Sequence, residues 1–176
     1  MPPAKVYLRL PPGLALSFSI LVLLPACASL SDIGRSDSNQ MTAAITDLRE
    51  STAGRLTLSA ERLAPFRLSE DGASPPEVRS AGRHGRAWLD EMVAAGAVDG
   101  ICGGPDTCDA SPSTTLVTLS GPFDGRTGAF VDARIETVSG PEGASVRQTR
   151  LLRLQIVRGA SGWRVVAATP LWETMG

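Results

Sequence analysis

A β-hairpin is predicted by three consecutive runs: LLRLQIV (Leu151–Val157), the turn GASG (Gly159–Gly162) and WRVV (Trp163–Val166). Apolar and polar residues alternate in the two flanking runs, which is the period of a strand with one buried face. Glycines in the short connection favour a tight turn between antiparallel strands. The C-terminal part of the chain is therefore predicted to be β structure.

Two earlier segments show the same alternation. Thr115, Val117 and Leu119 alternate along the first of them. The second places Ala129, Val131, Ala133 and Ile135 on one face and Asp132, Arg134 and Glu136 on the other. Turn residues separate these runs at Gly121-Pro122 and again at Gly140-Pro141. Together the segments predict an antiparallel meander of four or more strands, with one apolar and one polar face.

Helical periodicity precedes the strands. Apolar residues recur at intervals of three to seven over 41–63, and Pro65 is expected to end that helix. Ser74-Pro75-Pro76-Glu77 has the pattern of a helix start, and helical spacing continues to Ala95. The range 96–113 is expected to be a long loop. Helices followed by a meander predict an α+β fold whose helices cover the apolar face of the sheet.

This layout resembles the superfamily of nuclear transport factor 2 and ketosteroid isomerase over residues 41–172. The final hairpin is the segment that carries the resemblance. The resemblance implies a curved sheet folded over helices into a cone. A cystatin-like sheet with a single helix, or another α+β fold, is the alternative.

The amino terminus predicts export. Lys5 and Arg9 precede an apolar run, Leu14–Leu24, which is followed by Pro25-Ala26-Cys27. A basic start, a short apolar core and small residues are typical of a secretory signal peptide. The apolar run is too short for a spanning helix, which needs roughly 20 residues. Cleavage after Ala28 in a plainly secreted protein is the alternative.

Leu24-Pro25-Ala26-Cys27 resembles the lipobox of bacterial lipoproteins, although Pro25 departs from its commonest pattern. The resemblance implies that residues 1–26 are removed and that Cys27 is lipidated on its thiol and its new amino group. Ala28 resembles the second residue of lipoproteins exported to the outer membrane. The expected location is the cell envelope, facing the periplasm, at the outer rather than the inner membrane.

Three regions follow from these patterns: the signal peptide 1–26, a polar flexible tether 27–40, and a single α+β domain 41–176. Without residues 1–26 the chain has 15 Arg and no Lys against 18 Asp and Glu, a net charge of −3. This charge argues against a nucleic-acid partner, because such proteins need a basic face.

Cys102 and Cys108 form an even pair once Cys27 is lipidated. An oxidising compartment and the turn-rich sequence between them favour a disulfide. Free thiols, or a redox-active or metal-binding pair, are the alternatives. The C-x5-C spacing differs from redox C-x2-C, and no second Cys/His pair is present to complete a zinc site.

His84 is the only histidine and lies in Gly82-Arg83-His84-Gly85-Arg86. It is interpreted as a solvated residue on a weak helix. The alternatives are a general base or, with Arg83 and Arg86, part of an anion site.

Ketosteroid isomerase chemistry needs a carboxylate base and a buried oxyanion donor. Asp99, Asp132 and Glu136 are considered as the base, and each is interpreted instead as a loop or solvated-face residue. Tyr7, the only tyrosine, lies in the predicted signal peptide. No catalytic residue, cofactor or metal site is therefore predicted.

No ligand-binding residue is assigned from the sequence. Opposite charges on neighbouring strands are expected to pair with one another, with a binding surface as the alternative; the set is Asp132, Arg134, Glu136, Arg147, Arg153 and Arg164. Trp88, Trp163 and Trp172 are expected in the core or over a pocket.

The sequence thus predicts a non-enzymatic, lipid-anchored domain that binds a partner protein or a small apolar ligand. A ligand-transforming enzyme of the cone fold is one alternative. An envelope-assembly lipoprotein that pairs an exposed strand edge with another chain is the other.

Overall fold

The computed structural model describes residues 25–69, 74–103, 108, 110–140 and 145–175, with side chains from residue 35 onward. The elements are α1 (Pro25–Ser51), β1 (Arg55–Leu63), β2 (Ser80–Arg83), α2 (Arg86–Ala94), β3 (Gly100–Cys102), β4 (Thr114–Ser120), β5 (Phe123–Gly125), β6 (Gly128–Ser139), β7 (Val146–Gly159) and β8 (Gly162–Met175). The chain divides into two compact units, Met1–Arg35 and Ser36–Gly176, and the packing described below belongs to the second. Within the described residues, neither helix combines the length and apolarity that a membrane crossing needs.

The predicted signal peptide lies outside the described residues, apart from the backbone of its last two positions, where α1 begins. The structure differs from the prediction of a flexible tether at 27–40, because α1 includes these residues. Gln40 and Met41 are both buried, so the packed part of α1 begins before the predicted domain boundary at 41. Their burial contributes tertiary packing that stabilises the helix upstream of that boundary.

The described strands form one eight-stranded sheet with the main order β2-β1-β4-β6-β7-β8. β3 also pairs with β1, and β5 with β6. The predicted meander is confirmed as β4, β6, β7 and β8, each antiparallel to the next. The α+β class is also confirmed, with a mostly antiparallel sheet that is larger than four strands. The exceptions are β3 and β4, which run parallel to β1.

The helical prediction for 41–63 is wrong beyond Ser51, where α1 ends. Gly54 makes the turn to β1 with a φ of 85°, a left-handed conformation that favours glycine. In β1, Leu56 and Leu58 are fully buried at two-residue spacing. Leu56 fits the helical and the strand period equally well, so the spacing of apolar residues does not show where the helix ends and the strand begins.

The predicted helix start at Ser74–Glu77 is also wrong. The backbone N–H of Glu77 donates to the carbonyl of Arg67 at 3.1 Å in an isolated β-bridge, and β2 follows. α2 begins only at Arg86, and its apolar residues Trp88, Leu89 and Met92 are buried as their spacing predicts. The predicted loop 96–113 contains the short strand β3.

The main core lies between the helices and one face of the sheet, which confirms that the helices cover the apolar face. Residues of α1, α2, β1, β4, β6 and β7 form it, among them Ile45, Met92, Leu58, Val117, Val131 and Leu154. The opposite face has a second, smaller cluster of Leu63, Phe66 and Leu151, with Leu171 and Trp172 packed against it. The face predicted to be polar is therefore partly covered by the segment after β1.

Candidate functional site

Two hollows lie side by side along α1 and together form what we call the helix–sheet groove; they share Asp47. One, of about 460 Å³, has buried Leu48, Ile135, Leu152 and Leu154 in its wall, with Gln148, Arg150 and Ala168 nearer solvent. The other, of about 520 Å³, lies between α1 and the start of β8, next to Thr42, Thr46, Glu50, Trp163 and Val165. The groove thus combines an apolar wall with a polar rim, as small-molecule sites do.

Asp47 is the carboxylate at the junction of the two hollows. Burial raises its pKa above the ordinary value, and the neighbouring charge of Glu50 raises it further. No described residue forms a hydrogen bond or an ion pair with its carboxylate. Asp47 carries no distinguishing signal in the sequence, because it looks like any polar residue on the exposed side of an amphipathic helix.

Asp132 lies on the other face of the sheet and is fully buried, so its interpretation as a solvated residue is wrong. It accepts hydrogen bonds from the Phe66 backbone N–H at 2.6 Å and from Arg153 Nε and Nη2 at 2.8 and 2.9 Å. Arg153 also donates to the Phe66 carbonyl and lies 5.0 Å from the Phe123 ring centroid. The hydrogen bonds that Arg153 donates to Asp132 raise the pKa of Arg153. This network fastens the segment after β1 to the sheet.

Glu136 is also buried, which again differs from the prediction of a solvated residue. It pairs with Arg134 at 2.8 Å and with Arg147 at 3.5 Å, so opposite charges on this face do pair as predicted. Asp99 is exposed, as expected for a loop residue. Its pKa is lowered, first by the hydrogen bond from the Leu56 backbone N–H and also by Arg49, with which it pairs at 2.9 Å. Asp132 and Glu136 lie on β6 and Asp99 lies in the loop before β3, and each carboxylate pairs with its own local partners.

His84 is the residue whose surroundings differ most from its interpretation. It follows β2 in an extended segment, donates its backbone N–H to the Ala60 carbonyl, and is only 6% exposed. Its ring lies 5.0 Å from that of Trp88, and neither ring nitrogen has a hydrogen-bond partner among the described residues. Burial lowers its pKa to about 4; the nearby Leu119 carbonyl opposes this shift and Arg62 adds to it.

A second cavity, of about 420 Å³, adjoins this histidine, and we call it the His84 cleft. It is lined by Arg83 and His84, by Arg86, Leu89 and Asp90 of α2, and by Ala60, Ile101 and Gly103. The structure therefore brings together the three residues of the anion-site alternative, Arg83, His84 and Arg86. Arg86 is ion-paired with Asp90 at 3.2 Å.

Cys102 and Cys108 have their sulfur atoms 2.00 Å apart, at disulfide bonding distance, as the sequence predicts. Cys102 is the last residue of β3 and packs with Ala110 and Leu116 in a small cluster. Among the described residues, no group of three or more His, Cys, Asp or Glu side chains is placed to hold a metal ion.

Removing the disulfide as Cys102→Ala/Cys108→Ala is expected to lower the free energy of unfolding by about 2 kcal/mol, because the bridge closes a short loop. Urea denaturation of the oxidised wild type and the double variant measures the difference. The same denaturation of wild type in reductant is the control. The disulfide assignment would be contradicted if reductant left the free energy of unfolding of the wild type unchanged. It would also be contradicted if reductant lowered that of the variant.

The tryptophans divide between core and groove. Trp88 is buried in the main core and donates its indole N–H to Thr42 Oγ1 at 3.1 Å. Trp163 packs on the edge of that core and lines the groove, whereas Trp172 packs on the second cluster.

No protein-family model, curated protein or solved structure matches this chain.

Proposed function

We propose that this protein is a non-enzymatic, lipid-anchored domain of the bacterial cell envelope that binds a small, largely apolar ligand in the helix–sheet groove. We further propose that the sheet curves over α1 as in the cone-shaped superfamily named above. Register shifts within the pairings of β1 and of β7 with β8 support such curvature, because bulges increase twist.

One observation supports this proposal above the others: apolar side chains from α1, β6 and β7 border an open groove. Leu152 and Leu154 of β7 and Ile135 of β6 all belong to the main core and reach the same hollow. Because these side chains are already almost fully buried, an apolar ligand would gain mainly by removing its own apolar surface from water, at about 25 cal/mol per Å². Asp47, Thr46 and Gln148 would orient its polar end.

The groove is tested by Ala168→Phe, with Ala167→Phe as the matched control. Ala168 pairs with Leu154 and borders the groove, whereas Ala167 pairs with Gln155 and belongs to the other face. We expect small apolar molecules extracted from the purified wild type, identified by mass spectrometry, to be depleted at least about tenfold in Ala168→Phe. They should remain in Ala167→Phe. Equal retention or equal loss in both variants would contradict the proposal.

The lipid anchor is tested by Cys27→Ser. The thioether-linked diacyl group cannot form on serine, and two or three acyl chains hold a protein to a membrane far more firmly than one. We expect the wild type to sediment with membranes and the variant to be released or to retain residues 1–26. The anchor would be contradicted if the variant lost residues 1–26 and still sedimented with membranes like the wild type, and if mass spectrometry found no lipid on either protein.

The edge of the sheet favours a second candidate function, strand addition by a partner protein. β8 is a 14-residue strand that pairs only with β7 among the described residues. An unpaired edge can accept an extended segment of another chain. Pro170 and the two register shifts along β8 shorten the usable edge. Capture of a partner that survives Ala168→Phe would favour this candidate over the groove.

A further inference from the structure

The first turn of α2 lies beside the His84 cleft and lacks a side-chain cap. Gly85 is the N-cap residue, and no side chain among the described residues bonds the free backbone N–H groups there. The Leu89 N–H bonds the Gly85 carbonyl, so the N–H groups of residues 86–88 are the ones that precede the helical ladder. Such groups carry partial positive charge and favour an anion.

His84 is the second, independent observation. More than nine-tenths of the residue is buried and it lines the cleft. In the described part of the chain neither ring nitrogen makes a hydrogen bond of standard geometry, although the Leu119 carbonyl lies near the ring. A buried polar group without a hydrogen bond destabilises the folded state, so a ligand that supplies this bond gains affinity. A neutral imidazole has one N–H donor that a ligand oxygen could satisfy after a small rotation of the ring.

The charges around the cleft are mainly positive. Arg83 lines it, and no described residue accepts a hydrogen bond from its guanidinium. Arg62 is close enough to act on His84 electrostatically. Among the described residues that line the cleft, Asp90 is the one carboxylate, and Arg86 pairs with it. One guanidinium, Arg83, is therefore left open to a ligand.

We propose that the His84 cleft binds a small oxyanion, a carboxylate or a phosphate group, through Arg83, the first turn of α2 and the imidazole of His84. Leu89 and Ile101 give the cleft an apolar side that a short hydrocarbon portion would contact. This site is separate from the helix–sheet groove and does not depend on the function proposed for it.

Protonation of His84 reports on binding directly. A bound anion favours the imidazolium form, so it raises the pKa of His84, and by reciprocity its affinity rises as pH falls. The chain has one histidine, so a full-length protein without a histidine tag gives a single imidazole signal in proton NMR. Sodium phosphate and sodium trifluoroacetate are the probes, because both remain anionic over the whole range; each is titrated at constant ionic strength from pH 3 to pH 8.

We expect at least one of the two anions to raise the pKa of His84 by about 1 or more. Whichever anion acts at the lower concentration identifies the oxyanion class. Arg83→Gln should weaken binding about tenfold, because it removes a charge-assisted hydrogen bond. Arg158→Gln is the control, since Arg158 is an exposed arginine of β7 outside the cleft lining; we expect it to change affinity less than twofold.

Two results would overturn the proposal. The pKa of His84 could stay the same in phosphate and in trifluoroacetate, which would mean that neither anion reaches the cleft. Alternatively, Arg158→Gln could weaken binding as much as Arg83→Gln does, which would indicate attraction by the overall surface charge. Neither result bears on ligand retention in the helix–sheet groove, so the two proposals fail independently.

Discussion

Between pH 6.5 and pH 4 we expect His84 to cost the protein about 3 kcal/mol of its free energy of unfolding, and His84→Gln to remove that loss. The folded-state pKa is about 4 against an ordinary 6.5, and a difference of one pKa unit corresponds to about 1.4 kcal/mol. Within this window the unfolded chain binds a proton at His84 and the folded protein does not. Stability therefore falls as pH falls, and below pH 4 this contribution becomes constant.

Urea denaturation of wild type and His84→Gln at pH 7, 5.5 and 4.5 measures the effect. Carboxylates with lowered pKa, such as Asp99, also destabilise the protein in acid, but they do so equally in both proteins. The difference between the two pH profiles therefore gives the contribution of His84 titration, even if the substitution itself changes the free energy of unfolding at pH 7. Parallel profiles would mean that the imidazole titrates normally in the folded state and is not held neutral by burial.

The predictable part of the fold was the part whose signal is local. In β6 and β7 the alternation of Val131 and Ala133, or of Leu152 and Leu154, is uninterrupted, and each strand pairs with its neighbour in sequence. The glycine turn after β7 needs only two residues between Gly159 and Gly162. Such features require no knowledge of distant segments, so the meander followed from the sequence.

β1 was missed because its parallel partners, β3 and β4, are distant in sequence. β1 lies between β2 and β4, and its parallel register pairs Leu58 with Val117 across an intervening helix. In isolation its residues fit a continued helix, and only Gly54 signals the break. Ser74–Glu77 has the composition of a helix start, yet pairing of Glu77 with Arg67 determines its conformation. Tertiary pairing overrides local preference in both cases.

The candidate sites were less predictable than the fold. The surroundings of His84 depend on Ala60, Trp88 and Leu119, which come from three separate elements, and its sequence context of Gly and Arg looked solvated. Asp132 shows the same effect, because the segment that covers it contains Phe66, 66 residues earlier. Alternation identifies the face of a strand on which a side chain lies. It does not indicate what covers that face.

Asp132→Asn is expected to lower the free energy of unfolding by about 3 kcal/mol, at the lower end of the cost of breaking a buried ion pair. The buried carboxylate accepts one hydrogen bond from Phe66 and two from Arg153. An amide has one oxygen and no charge, so it leaves the half-buried guanidinium without its counter-ion. Urea denaturation measures the change, and Asp124→Asn on exposed β5 is the matched control, expected to remain within about 0.5 kcal/mol of wild type.

The double variant Asp132→Leu/Arg153→Met tests how much of this loss comes from leaving one charge of the ion pair without its partner. Removing both charges avoids an uncompensated buried ion, so we expect it to be more stable than Asp132→Asn despite carrying two substitutions. It lacks the acceptor for the Phe66 N–H, so that amide should lose its protection from hydrogen exchange while amides of β6 and β7 keep theirs. In Asp132→Asn the remaining side-chain oxygen can still accept this hydrogen bond. If the Phe66 amide stayed protected in Asp132→Leu/Arg153→Met, the segment after β1 would be held by the apolar contacts of Leu63 and Phe66 with Leu151, and the Asp132 network would contribute little to its position.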